Sequence, residues 1–376
     1  MNPRLSEIAP SLIRELDARK RPSSIDLGMG EPTLRPDLAP LRAALQWVAD
    51  HGCPYSPVAG FAELREAIAR HHGLPGLDRA DNCCVTVGSQ QALATAIKTL
   101  CDPAADEVLI VAPAYPLYAK LCQLEGVAFR LVCLDPERGF QPEADTVLGA
   151  LSARTSLVVL ASPSNPTGRV WPQGELERLA AGLLRRGRQP YLLSDEVYRD
   201  LYYTDVPPPS PARYYPRTLV AGSLSKSCAL TGLRLGWLLA PAELMPALLK
   251  VHHFAVSCAS TVAQQAARAI FAEPGRLEAH RPHYQRQRQV LLEALRAAGL
   301  GHVVPEGAFY ALVRLSGPWA RDSVRTAFAL LERKDVVTSP GALFGAEGWL
   351  RLSFVASAER LQEGVRRLAE LLGERP

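Results

Sequence analysis

Lysine is scarce in this chain: six residues (Lys20, Lys98, Lys120, Lys226, Lys250 and Lys334) stand against 36 arginines. The 42 basic and 38 acidic residues nearly cancel, leaving a net charge of +4, and the basic ones are scattered. That excludes the electrostatic footprint of a nucleic-acid or anionic-membrane binder. No apolar run reaches the length of a membrane span. The opening MNPRLSEIAP lacks the basic-then-apolar pattern of a secretory signal. No C-x-x-C pair occurs among the eight cysteines (53, 83, 84, 101, 122, 133, 228 and 258), which argues against zinc or redox use. Several lie in apolar, strand-like runs, where a free thiol behaves as a small hydrophobe. These absences point to a cytoplasmic, reduced protein.

The usual catalytic signatures are missing too. There is no GxxxxGK[ST] loop and no GxSxG elbow. GMGEPT (28–33) starts like a dinucleotide fingerprint but has no third glycine and no strand–turn–helix around it. His252, His253, His280 and His283 have no acidic or cysteine partner at ligand spacing, so they read as packing or solvent-facing residues and no metal is expected. Internal repeats are absent. VPPPSP (206–211) is the one low-complexity spot and reads as a stiff surface loop.

What is present is apolar. With 376 residues and 48% hydrophobic content, the chain can bury a large core, in two domains or one large domain with a companion. Near-continuous apolar runs recur at CCVTV (83–87), EVLIVA (107–112), VAFRLV (127–132), SLVVLA (156–161), PYLLS (190–194), TLVAG (218–222) and LGWLLA (235–240). Such runs suit strands buried on both faces of a mostly parallel sheet. Helical patterns such as FAELREAIARH, QQALATAIKTL and ELERLAAGLLRR fall between them, so the architecture reads as α/β. After about residue 245 the texture changes to a long helical stretch (276–298), short strands in FYALVRL and LRLSFV, and a closing helix (358–373). We expect a large domain over 41–275, and a smaller α/β domain from 276–376 with the N-terminal segment 1–40.

Several polar clusters follow strands, at the end where α/β sheets build ligand sites. VTVGSQQAL (85–93) opens a helix in Gly-Ser; its free N–H groups suit a phosphate, although an ordinary helix cap accounts for them equally well. SPSNPTG (162–168) reads equally as a turn, and Asp195 in LSDEVY as a cap. SLSKSCALTG (223–232) holds a lysine with no acidic partner in the stretch. Burial favours the neutral amine, the nucleophile that forms a Schiff base, and an arginine cannot replace it there. A carboxylate beside that amine would hold it protonated, so none is expected close by.

Taken together, SLSKxxxxTGxRxGW, the Asn-Pro-Thr-Gly and Ser-Asp-Glu-Val-Tyr segments and a late RLSF resemble the class I/II aminotransferases, fold-type I enzymes that use pyridoxal phosphate. The resemblance runs from about residue 25 to 360 and is strongest to the branch of aspartate, aromatic and kynurenine-type enzymes. It implies a mostly parallel seven-stranded sheet in the large domain and a smaller C-terminal α/β domain. It implies that Lys226 holds the cofactor as a Schiff base and shuttles a proton, and that Asp195 pairs with the pyridinium nitrogen. Asn165 and Tyr198 would hydrogen-bond the cofactor's phenolic oxygen, and Tyr115 would stack on its ring. Gly88, Ser89, Gln90, Ser223, Ser225 and Arg234 would bind the phosphate, joined by Tyr55 from the other subunit of a homodimer. Arg351 would grip the substrate α-carboxylate near the backbone of Gly30 and Asn165.

The implied reaction moves an amino group from an L-amino acid to a 2-oxo acid, 2-oxoglutarate by default, in a ping-pong cycle. The alternative on the same fold is a pyridoxal-phosphate β-C–S lyase or a cyclopropane-forming synthase. Some positions depart from the commonest family pattern. Cys228 and Leu233 stand where aromatics are frequent, and Ser89-Gln90 replaces a frequent pair ending in lysine; none removes a catalytic group.

Overall fold

The computed structural model describes residue 5 and residues 8–374; most of the N-terminal stretch weighed above as a leader, and the last two residues, lie outside it. A seven-stranded sheet runs in the order Cys83–Thr86, Gly236–Leu239, Thr218–Ser223, Tyr191–Asp195, Thr155–Ala161, Glu107–Ala112, Ala128–Cys133. All strands are parallel except Gly236–Leu239, which is antiparallel to both neighbours. Each expected apolar run became one of these strands.

The sheet explains why those runs lack polar alternation. Val108 and Ile110 pack with Leu157, Val159 and Leu193 in one core, whereas Leu109 packs with Val158, Leu160 and Leu192 in another. Successive side chains point to opposite faces, and both faces are buried under helices, so every position wants an apolar residue. The edge strand Ala128–Cys133 is largely exposed and tolerates Arg130.

Register then sets the site. Thr86 and Ser223 both pair with Gly236, while Asp195 lies between Ala161 and Ala221. The carboxyl ends of the parallel strands therefore line up along one edge. The loops that leave them carry Gly88, Lys226, Tyr198 and Asn165.

A second, antiparallel sheet has the order Ser339–Pro340, Trp349–Ser353, Tyr310–Arg314. It is backed by helices that include Ser323–Lys334 and Ala358–Gly373. The latter starts at Ser357, whose hydroxyl accepts from the Arg360 N–H, and buries Leu361, Val365, Leu368 and Leu371 along one stripe. Near the N-terminus, Ile25–Asp26 pairs in parallel with Val336–Val337, a two-residue contact too short to show any periodicity. Ile25 and Leu27 share one core with Tyr284, Leu350 and Leu368, and that core also takes in Tyr198 and Leu201 from the end of the large sheet.

Candidate active site

The strand Thr218–Ser223 passes directly into the short helix Leu224–Ser227, which carries Lys226. Ser223 caps this turn: its hydroxyl oxygen accepts from the Ser225 N–H at 3.1 Å and lies 2.8 Å from both the Ser225 hydroxyl and the Leu235 carbonyl. Lys226 Nζ donates to the carbonyl of Gly30 at 2.7 Å. Burial lowers its pKa to about 8, helped by the positive charge of Arg351. The carboxylates of Glu31 and Asp195 oppose that shift. This corrects the expectation of no acid near the lysine: Thr231, in the lysine's own loop, donates to Glu31 at 2.6 Å across 200 positions of sequence. Burial outweighs both acids, so the amine still loses its proton more easily than a free lysine.

Asp195 ends its strand only 5% exposed. Its carboxylate accepts from the Tyr118 hydroxyl at 2.7 Å and from the Val197 N–H at 3.3 Å. Burial raises its pKa to about 6 in spite of those bonds. No ion pair within salt-bridge distance engages it among the described residues, and the charge of Lys226 favours its ionised form without offsetting burial. Tyr118 sits edge-on to Tyr115, with ring centroids 6.0 Å apart. Burial raises the Tyr115 pKa, and the charges of Arg351, Asp195, Arg14 and Arg234 also act on it.

Arg351 is 2% exposed. It donates to Asn165 Oδ1 at 2.9 Å, to the Gly28 carbonyl at 2.5 Å and to the Ser339 hydroxyl at 3.0 Å. The guanidinium carbon lies 4.3 Å from the Tyr310 ring centroid and 4.8 Å from that of Phe344. Its Nε is buried with no partner, and no carboxylate pairs with it among the described residues. A buried, unneutralised guanidinium with a spare N–H suits a carboxylate. Asn165, with its oxygen committed to Arg351, is left with its amide N–H groups as donors.

The phosphate-type residues converge from three directions. The helix Gly88–Leu100 begins with no side chain capping it, so its first N–H groups are free for an anion. Gly88 has φ +71°, and a β-carbon there would come within 2.5 Å of Arg234 Nη2; only glycine lets the guanidinium sit against this helix start. Arg234 itself occupies the left-handed region at φ 52°, a strain of about 1–2 kcal/mol for a non-glycine residue. Ser89 is half-buried nearby, and Ser225 is buried on the lysine's turn. Gln90 is exposed.

Gly30 also needs its lack of a side chain, since a β-carbon would lie 1.9 Å from the Tyr310 hydroxyl. That hydroxyl is 2.8 Å from the hydroxyl of Tyr198. Tyr55 stands apart: it is 90% exposed, and no hydrogen bond or ring contact links it to these residues. The sequence reading missed Tyr118, Tyr310, Ser339 and the Gly28 carbonyl. Tyr118, three positions after Tyr115 at a helix start, was in principle visible as its neighbour. Tyr310 carried no signal.

Residues 22–368 match the family model for aminotransferase class I and II. The chain is 37% identical to the aspartate/prephenate aminotransferase of Thermus thermophilus, over 93% of this chain and 91% of that one. It is 35% identical to a probable N-acetyl-LL-diaminopimelate aminotransferase of Bacillus subtilis, over 98% of this chain and 94% of that one. Among solved structures it superposes on the aspartate aminotransferase of Thermus thermophilus with maleate at a TM-score of 0.91, with 34% identity and 99% coverage of both chains.

Proposed function

The chain belongs to the class I and II aminotransferases and is a pyridoxal-phosphate-dependent transaminase, and from that premise we propose that it moves the amino group of a dicarboxylic L-amino acid to 2-oxoglutarate in a ping-pong cycle. The observation that carries the reading is Arg351, a buried guanidinium with an unused N–H, reaching the Gly28–Gly30 strand of backbone that also receives the Lys226 amine. A carboxylate on Arg351 brings the adjoining amino group and α-carbon toward that amine. The choice of aspartate-like donors rests on the names of the relatives.

The residues fit pyridoxal phosphate. The uncapped helix start, Ser89, Ser225 and Arg234 suit its phosphate, with Gln90 contributing its backbone. Ser223 supports this group by holding Ser225 in its turn. Asp195 is a buried acid with no salt-bridge partner among the described residues, a place that a protonated ring nitrogen would fill. When bound, the cofactor supplies a carbonyl that an amine can attack and a cationic ring that draws electron density away from the substrate α-carbon.

This chain's residues then do the rest. Lys226 would hold the cofactor through its amine, and that same amine, buried against the Gly30 carbonyl, is the group placed to carry a proton to and from the substrate α-carbon. Its lowered pKa keeps a usable fraction neutral near pH 7. Asp195 would hold the ring-nitrogen proton, Asn165 and Tyr198 would donate to the phenolic oxygen, and Tyr115 would cover the ring. Arg351 orients the substrate with the aid of Asn165 and the Gly30 backbone.

We place the cofactor-binding domain at 41–275 and the smaller domain at 1–40 and 276–376, in the cytoplasm, where the eight free cysteines stay reduced. We further assign a two-fold homodimer in which Tyr55 completes the partner's phosphate site. Its exposure in the isolated chain supports this.

The test is a half-reaction screen. Each L-amino acid is added to the purified holoenzyme without an oxo acid, and the cofactor absorbance is followed. Aspartate or glutamate is expected to convert the spectrum once per site. If no amino acid changes it, and borohydride fails to fix the cofactor on Lys226, the reading is wrong. Sustained release of pyruvate from one amino acid alone would instead assign a lyase.

A further inference from the structure

Two buried phenols touch at the junction of the two sheets. Tyr198 is 4% exposed and Tyr310 1%, their hydroxyl oxygens are 2.8 Å apart, and their rings meet edge to face at 5.7 Å. Tyr198 follows the large-sheet strand that ends in Asp195, while Tyr310 opens a strand of the small sheet, where it pairs with Ser353, two residues beyond Arg351. The Tyr310 ring is also the shelf for the Arg351 guanidinium, and its hydroxyl fills the space left by the missing side chain of Gly30.

The pair has two hydroxyl protons and one mutual hydrogen bond, so one proton remains to be donated elsewhere. Neither phenol ionises readily, since burial raises both pKa values. No second protein acceptor is hydrogen-bonded to either hydroxyl among the described residues. A hydroxyl that accepts a hydrogen bond donates more strongly through its own proton.

We propose that Tyr310 is a positioning residue for the transamination site: it donates to the Tyr198 oxygen and so commits the Tyr198 proton to the cofactor's phenolic oxygen. The inference rests on the proposed placement of that oxygen beside Tyr198. It adds a residue with no role in the reading above. It also puts one ring of the small sheet under both the carboxylate-binding arginine and the hydroxyl that tunes the cofactor.

Tyr310→Phe keeps the ring, its stacking and the room at Gly30, and deletes the donor. The test uses the holoenzyme of the native chain, Y310F, Y198F and the double variant. It reads the pH midpoint of the bound cofactor's visible absorbance band without substrate, and cofactor affinity from titration of each apoenzyme. Without its donor, Tyr198 stabilises the anionic phenolic oxygen less, so Y310F should move the midpoint upward by about 0.3–0.6 pH units and weaken cofactor binding about two- to threefold. Y198F should shift the midpoint further, and the double variant should match Y198F, because Tyr310 acts only through Tyr198.

A Y310F midpoint equal to the native one, alongside a shifted Y198F, overturns the inference and leaves the proposed site standing. A Y310F shift that persists in full on the Y198F background also overturns it, since the effect then bypasses Tyr198. An unshifted Y198F removes the placement on which the inference depends. A purely structural role for Tyr310 lowers the melting temperature without moving the midpoint.

Discussion

Arg351 donates to Asn165 Oδ1 at 2.9 Å inside the protein, although the two residues are 186 positions apart in sequence. One is on the small antiparallel sheet and the other on a loop of the large sheet. The bond fixes which end of the Asn165 amide is left to donate and which part of the guanidinium is left free of it.

Arg351→Lys keeps the charge and loses the planar fork. We expect kcat/KM for the preferred amino acid to fall by about 10²–10³, with most of the loss in KM, because one buried partner of a charge-assisted pair is removed. Half-reaction saturation curves measure it. A loss below tenfold would mean that another group grips the α-carboxylate.

Lys226→Ala is expected to bind the cofactor without fixing it covalently and to slow the half-reaction by a factor of about 10²–10⁴ or more, the usual worth of a positioned proton carrier. Borohydride followed by peptide mass analysis checks the attachment. Cofactor fixed at any other lysine contradicts the assignment.

The apoenzyme should show a pH dependence traceable to Lys226. Its pKa is about 8 when folded and 10.5 when unfolded, so the unfolded chain binds the proton more tightly between those values. Stability therefore rises with pH from about 8 to 10.5, and the full penalty applies below about 8. Lys226→Met removes the penalty and also the bond to Gly30. Its apoenzyme should be about 2 kcal/mol more stable than the native one at pH 7, with the advantage shrinking toward pH 10.5. Urea unfolding across that range decides; a constant difference would show that burial of the amine is not its source.

Asp195→Asn separates fold from chemistry. The folded pKa of Asp195, about 6, lies above its ordinary 3.8, so this carboxyl favours the native state below pH 3.8 and loses that contribution as pH rises through 6. At pH 7 the asparagine form should fold at least as stably as the native apoenzyme. Its half-reaction should nevertheless slow by about 10²–10³, as expected when an aligned charge is removed from an active site. Parallel urea melts and stopped-flow absorbance test both halves; a variant that unfolds early, or one that stays fast, breaks the prediction.

Mixing Tyr55→Ala with Lys226→Ala tests the shared site. A hybrid dimer holds one site in which both residues are native, so activity should reappear on mixing two inactive or weakened variants and then track hybrid content. Additive, unrecovered activity would place Tyr55 outside the partner's site.

The large sheet was readable because its strands are sandwiched: Leu109 and Ile110 face different cores, and neither allows a polar residue. Ile25–Asp26 was not readable, because two residues have no period and the partner is Val336–Val337. The site divides in the same way. Lys226, Asp195, Asn165 and Arg351 sit in local motifs that single them out in the sequence. Tyr310 lies in FYALVRL, where an aromatic at a strand start looks like core, and only the fold brings its hydroxyl to Tyr198. The nearness of Glu31 to Lys226 was likewise invisible, because the lysine's own segment contains no acid and the contact is made by a loop some 200 residues away.

The Lys226 amine rests on the carbonyl of Gly30, a main-chain group. An acceptor of that kind has no address in the genetic code: every codon at position 30 preserves it. What a substitution there removes is space beside the Tyr310 hydroxyl, already 1.9 Å from where a β-carbon would stand. Mutational scanning at position 30 should therefore rank variants by bulk rather than by polarity, and a shortened residue at position 310 should restore some of those it rejects.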